Sequence, residues 1–166
     1  MNFYGERKTV LASTNGISYE FYVSGCNNGK GYCKGCHSEH TWYSNFGIPM
    51  TKEWYDNKIV EMKNRGEFKF DNINLLGGEP LDSSETDIRY FCDRFRQDFP
   101  SKGFWLYTHF TEEDIKEKFI FVYELFDYIK VGKFDINKLS DYHKSNDIYL
   151  SSTNQYIIKT KGQSCY

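Results

Sequence analysis

The sequence predicts an α/β fold built on a parallel sheet. Three observations carry that expectation. Strand-forming and helix-forming segments alternate from residue 18 to residue 159, the signature of strand–helix–strand units. The two stretches rich in glycine or cysteine, 25–36 and 77–78, each follow a predicted strand, and parallel sheets collect their ligands at the carboxyl ends of strands. Leu, Ile, Val and Phe supply 39 of the 166 residues, enough for one folded core and a length that corresponds to a single domain, 1–166.

The elements follow in order. Segment 18–24, Ser-Tyr-Glu-Phe-Tyr-Val-Ser, is rich in β-formers and reads as a strand. Residues 25–40 read as a long loop, and such loops are usually functional. Thr51 is placed to cap a helix to about Asn64, with Tyr55, Ile59 and Met62 on one face and Gly66 ending it. Segment 70–76 reads as a strand running into Gly77-Gly78. Ser84 and Asp87 resemble a capping box before Ile88, Phe91, Cys92 and Phe95, which recur with helical spacing. Residues 103–107 read as a strand. Thr111 and Asp114 open a third helix, with Ile115, Phe119, Val122 and Tyr123 on one face. Residues 126–131 and 155–159 read as two further strands. The core relies on rings, with 14 Phe, 14 Tyr and 3 Trp against a single alanine, Ala12.

Composition removes several function classes. The net charge is −2 with no basic run, so nonspecific binding to nucleic acid or to a membrane surface has no electrostatic support. No stretch approaches the ~18 apolar residues of a membrane-spanning helix. The N-terminal segment Met-Asn-Phe-Tyr-Gly-Glu-Arg-Lys lacks a secretory apolar core, so a cytoplasmic location is expected. The chain is also shorter than the roughly 250 residues of a complete (β/α)8 barrel.

Chemistry concentrates in the cysteines. There are five, an odd number that argues against a disulfide framework. Cys26, Cys33 and Cys36 lie within eleven residues in the pattern C-x6-C-x2-C. Thiolates are soft ligands that select zinc or iron–sulfur clusters. A tetrahedral zinc would take His37 or His40 as fourth ligand. An iron–sulfur cluster usually takes four cysteines, so three would leave one iron open. Three unligated thiols are the bland alternative. Cys92 falls on an apolar helix face, and Cys165 is penultimate. Glu79, after Gly77-Gly78, is either a ligand-binding carboxylate or an N-terminal helix charge. Lys130 is either a site residue or a strand lysine reaching to solvent. Thr108-His109, at another strand end, reads as structural or solvent-facing.

The cysteine loop and its surroundings resemble the radical S-adenosylmethionine enzymes, and among them the activating proteins of anaerobic (class III) ribonucleotide reductase. Val23-Ser24-Gly25-Cys26 resembles the start of that family's cluster loop, and Cys33-Lys34-Gly35-Cys36 with His40-Thr41-Trp42 its end. Gly77-Gly78-Glu79-Pro80 is similar to the superfamily's Gly-Gly-Glu-Pro motif. Tyr128-Ile129-Lys130-Val131-Gly132 and Ser152-Thr153-Asn154-Gln155 are similar to later segments, in the family's order. Three features depart from the pattern. The family spacing is C-x3-C-x2-C. An arginine expected near Thr14-Asn15-Gly16-Ile17-Ser18 is missing, and Tyr156 stands where another is expected.

The resemblance implies a partial (β/α)6-type barrel, a parallel sheet with flanking helices. It implies that Cys26, Cys33 and Cys36 ligate a [4Fe–4S] cluster whose fourth iron takes S-adenosylmethionine. Glu79 would receive the ligand's ammonium, with Gly77 and Gly78 giving its methionyl group room. Gly35 and His37 would lie near the adenine, and Lys130 and Asn154 near the ribose or carboxylate. The implied partners are the glycyl-radical subunit of the anaerobic reductase and a one-electron donor such as flavodoxin or ferredoxin. Cys36-His37 and Thr41-Trp42 also resemble the pyruvate formate-lyase activase, so another glycyl-radical partner or a small molecule is the alternative substrate. A Cys3His zinc module is the reading outside this chemistry. A partial barrel this short implies that the substrate protein supplies the missing wall.

Overall fold

A computed structural model describes residues 1–11, 13–64 and 70–160. In chain order its elements are β1 (Asn2–Val10), β2 (Ser18–Ser24), β3 (Ile48–Pro49), α1 (Lys52–Asn64), β4 (Asn72–Gly77), α2 (Glu85–Asp98), β5 (Gly103–Tyr107), α3 (Glu112–Lys118), α4 (Val122–Leu125), β6 (Tyr128–Val131), β7 (Lys144–Ser145), β8 (Ile148–Tyr149) and β9 (Tyr156–Lys159). Gly66 and Cys165 lie outside the described residues. Among the described residues, no helix is long and apolar enough to cross a membrane.

The main sheet has seven strands in the order β3-β1-β2-β4-β5-β6-β9. Its centre, β2-β4-β5-β6, is parallel. The sheet as a whole is mixed, where the sequence predicts a parallel one. β1 runs antiparallel to β2 and β3, and β9 runs antiparallel to β6. A parallel return needs a long crossover, usually a helix. Between β6 and β9 the chain forms no α-helix, only the 3-10 turn Ile136–Lys138, a single Leu139–Ser152 bridge and the β7–β8 hairpin, so it comes back antiparallel. The sequence reading has no counterpart for β1. Gly5 and the charged run Glu6-Arg7-Lys8 break its alternation, and the strand is irregular after Phe3 and after Lys8. The end strands β3 and β9 do not pair with each other.

The helices form where their ends are capped. The Ser84 hydroxyl accepts from the Asp87 amide at the start of α2. Thr111 and Asp114 form a reciprocal capping box on α3. The predicted third helix breaks in two. Phe119 leaves helical geometry at φ −133° and ψ 33°, where the run Phe119-Ile120-Phe121-Val122 is poor in strong helix formers.

Strand alternation then sorts the chain into two faces. Phe21, Ile73, Leu75, Phe104, Leu106 and Ile129 point to one face, each with no exposed surface, in the core that also takes the apolar sides of α1 to α4. Phe21 sits 4.9 Å from the Phe95 ring and edge-on to Phe91 at 5.6 Å, arrangements that aromatic quadrupoles favour. Cys92 is wholly buried in this core. The other face carries Glu20, Tyr22, Asn74, Trp105, Tyr107 and Lys130, and it is there that the candidate site forms.

β1 is fastened to α1 by four charges. Lys8 bridges Glu6 and Glu61 at 2.5 and 2.7 Å, and Lys58 bridges the same two carboxylates at 2.9 and 2.6 Å. Burial pushes the Glu61 carboxyl up, but hydrogen bonds from Lys58 and Lys8 outweigh it and bring the pKa from 4.5 down to about 2. A carboxyl depressed in this way stabilises the fold above about pH 4.5 and loses that contribution as the pH falls toward 2. Urea melts at pH 7 and pH 3 should therefore show a smaller acid destabilisation for Glu61→Gln than for the unsubstituted protein.

Candidate metal centre

The site begins where β2 and β4 end side by side. Gly77 (φ +119°) leaves β4 with its backbone so close to β2 that an added Cβ would lie 2.6 Å from the Val23 nitrogen and oxygen. At Gly78 the same atom would lie 2.2 Å from the Gly25 carbonyl oxygen. The absent side chains let the two loops bond directly. The Gly78 amide donates to Val23 O at 2.8 Å and the Glu79 amide to Gly25 O at 2.7 Å. The pair of glycines thus packs backbone on backbone, beside Cys26.

The cysteine loop closes on itself at its base. Gly25 and Cys26 donate to the carbonyls of Thr41 and Trp42 at 2.8 and 2.9 Å. Beyond Cys26 the chain turns through left-handed backbone at Asn27 and Asn28, a conformation asparagine tolerates better than most residues. The Asp82 carboxylate anchors this turn. It accepts from the Asn27 amide at 2.7 Å and from the Tyr32 hydroxyl at 3.1 Å.

Cys26, Cys33 and Cys36 line one cavity of about 210 Å³, together with Gly77, Gly78, Glu79 and Lys130. The Ser38 amide donates to the Cys36 sulfur at 3.3 Å. All three cysteines are free of disulfides. Burial pushes the Cys26 thiol up to about 12 and also raises Cys33, with the nearby backbone of Tyr32 and Phe134 opposing it. Such thiols ionise when a cationic metal group binds. Burial also lowers Lys130 to about 8, and the neighbouring Cys33 and Glu79 oppose that shift. Its ammonium does not reach solvent. It donates to Gly132 O at 2.7 Å.

The 4Fe-4S single cluster domain family matches residues 12–158. The chain belongs to that family. Several anaerobic ribonucleoside-triphosphate reductase-activating proteins are similar to it along most of their length. That of Escherichia coli strain K12 is 28% identical over 158 residues, covering 95% of this chain and 97% of the relative. That of Salmonella typhimurium strain LT2 is 30% identical over 143 residues, covering 86% and 88%. That of Enterobacteria phage T4 is 28% identical over 127 residues, covering 74% of each. No solved structure matches the chain significantly.

The family's cluster fits the donors present, which are three thiols on one cavity, with Cys36 already accepting an amide of the kind that tunes cluster sulfurs. Among the described residues, no three His, Cys, Asp or Glu side chains crowd around a point as a single metal ion requires.

Three of the predicted site residues lie outside the cavity wall. Gly35 packs toward Ile136. The His37 ring sits 4.9 Å from Phe134 and borders a separate pocket with Arg7 and His40. Asn154 turns away to donate to Lys133 O at 2.8 Å, and its neighbour Gln155 lines the cavity instead. The loop geometry decides which of the two amides faces inward. Sequence reasoning missed Tyr32 and Asp82, and set Thr108-His109 aside as structural or solvent-facing. The His109 side chain is only 15% exposed and both residues contact Glu79. A usable signal was their position at the end of β5, beside the Gly-Gly-Glu-Pro loop on the neighbouring strand.

Gly78→Ala forces a backbone contact that neither loop can relieve by side-chain rotation. Overpacking of this kind costs about 1–3 kcal/mol. Denaturant melts should show that loss, and iron bound per chain after anaerobic reconstitution should fall with it, because the displaced loop carries Cys26.

Proposed function

We infer that this chain activates an anaerobic ribonucleoside-triphosphate reductase by radical S-adenosylmethionine chemistry, generating a glycyl radical on it. One observation carries the reading. Three cysteines open on the same cavity as the Glu79 carboxylate and the buried Lys130 ammonium. The names of the relatives supply the target.

Cys26, Cys33 and Cys36 would hold a [4Fe–4S] cluster, one thiolate per iron, leaving the fourth iron for the ligand. A cluster bound there would supply the electron that cleaves S-adenosylmethionine and yields the 5′-deoxyadenosyl radical that takes a hydrogen atom from a glycine. The chain's own residues provide the setting. Glu79 offers an acceptor for an ammonium, and charge-assisted bonds of this type are roughly twice as strong as neutral ones. Lys130 offers a cation for a carboxylate. Tyr22, Leu76 and Tyr107 line the inner wall and exclude water from it. The sheet is read as the family's partial barrel, with the reductase closing its open side. A flavodoxin or ferredoxin would deliver the electron. A Cys3His zinc site has less support, because His37 and His40 border a separate pocket and do not line the cysteine cavity.

Anaerobic reconstitution should yield a brown protein with about four irons per chain. With a reductant it should release 5′-deoxyadenosine, and with the reductase it should give a glycyl-radical signal in electron paramagnetic resonance. Cys26→Ala, Cys33→Ala and Cys36→Ala should each abolish all three. A colourless protein holding one zinc and no sulfide would sink the reading.

A further inference from the structure

Glu79 is the only acidic side chain among the described residues lining the cavity, and its carboxylate is already full. Oε1 accepts from the Thr108 hydroxyl at 2.8 Å and from the Leu81 amide at 3.0 Å. Oε2 accepts from the His109 amide at 2.8 Å and from His109 Nδ1 at 2.5 Å. A carboxylate has about four lone-pair positions, and these four donors take them. Two donors are backbone amides fixed by the fold, and the third is the hydroxyl of Thr108, itself 3% exposed. The Thr108 hydroxyl is packed in the buried wall, whereas the His109 side chain, 15% exposed, has room to withdraw by rotation.

The imidazole is held in place from its other side. The Tyr32 ring stacks on it at 3.7 Å and 11°, and the Tyr32 hydroxyl is tied to Asp82. Tyr32 immediately precedes Cys33, in the stretch between the first two cysteines.

We propose that His109 is a placeholder at Glu79. Its Nδ1–H occupies the acceptor position that the ammonium of an α-amino-acid ligand takes, and Tyr32 holds it there until the ligand arrives. The inference rests on the cavity's being the S-adenosylmethionine site. An unfilled acceptor position on a buried carboxylate is costly, so the imidazole completes the donors to Glu79 before loading. Its departure also breaks the stack on Tyr32, which couples ligand binding to the loop arm between Cys26 and Cys33.

Equilibrium dialysis of the anaerobically reconstituted protein tests this, with S-adenosylmethionine and with 5′-methylthioadenosine, which lacks the amino-acid portion. His109→Ala and His109→Phe should each tighten S-adenosylmethionine binding roughly tenfold, the scale of one hydrogen bond to a charged group, and leave 5′-methylthioadenosine unchanged. The phenylalanine variant keeps a ring against Tyr32, so loosening of the loop is controlled. Glu79→Gln should weaken S-adenosylmethionine alone. Unchanged or weaker S-adenosylmethionine binding in both His109 variants, or equal tightening of both ligands, would overturn the placeholder. If the unsubstituted protein binds neither ligand, the reading of the cavity fails first, and the placeholder with it.

Discussion

The site depends on one close approach, that of the Gly77-Gly78 backbone to the Val23–Gly25 backbone. β2 and β4 are parallel neighbours in register, Val23 opposite Gly77, so their ends emerge at the same edge of the sheet. Any side chain at residue 78 would meet a carbonyl. Without one, two amide hydrogen bonds join the loops. The first cysteine and the Glu79 carboxylate become neighbours through main chain alone. Their relative position then inherits the stiffness of the sheet, which is what a preorganised site requires.

The sheet uses its two faces for different ends. The helix-covered face is apolar and ring-packed. The opposite face buries polar groups that a simple core would avoid. Glu20 is 2% exposed and Lys130 is 8% exposed. The Asn74 side-chain amide is wholly buried, with neither of its polar atoms hydrogen-bonded. Each such group costs free energy unless something satisfies it. Glu20 accepts from the Tyr22 hydroxyl at 2.8 Å, and Lys130 caps the Gly132 carbonyl. These groups share the sheet face from which Tyr22, Tyr107 and Lys130 line the cavity.

Much of this was legible in the sequence, and the unread remainder has physical reasons. β2, α2 and β5 were readable because their signals are local, being strand composition, a serine cap and helical spacing of Ile88, Phe91, Cys92 and Phe95. The two functional loops were readable because glycines and cysteines mark them. β1 was not, since an edge strand interrupted by Gly5 and three charges satisfies no local pattern. The direction of β9 was not, because it depends on what the intervening chain fails to form. Tyr32, Asp82 and His109 acquire their roles only through contacts 30 to 77 residues apart, and no periodicity encodes such distances.

The longer cysteine spacing illustrates how a local departure is absorbed. Six residues separate Cys26 from Cys33, and in an extended chain they would drive the two sulfurs apart. They do not run extended. Gly29 and Gly31 both donate to the Cys26 carbonyl, at 3.0 and 3.1 Å, and Asn27 closes the turn through its side chain onto Gly31 O at 2.9 Å. The added length is folded back onto the Cys26 carbonyl, so it adds chain without adding span. The carboxylate of Asp82 holds the turn from outside, and the next residue available to face inward is Tyr32. Extra residues that might have loosened a metal loop instead carry a ring to the wall of the cavity, where it stacks on His109.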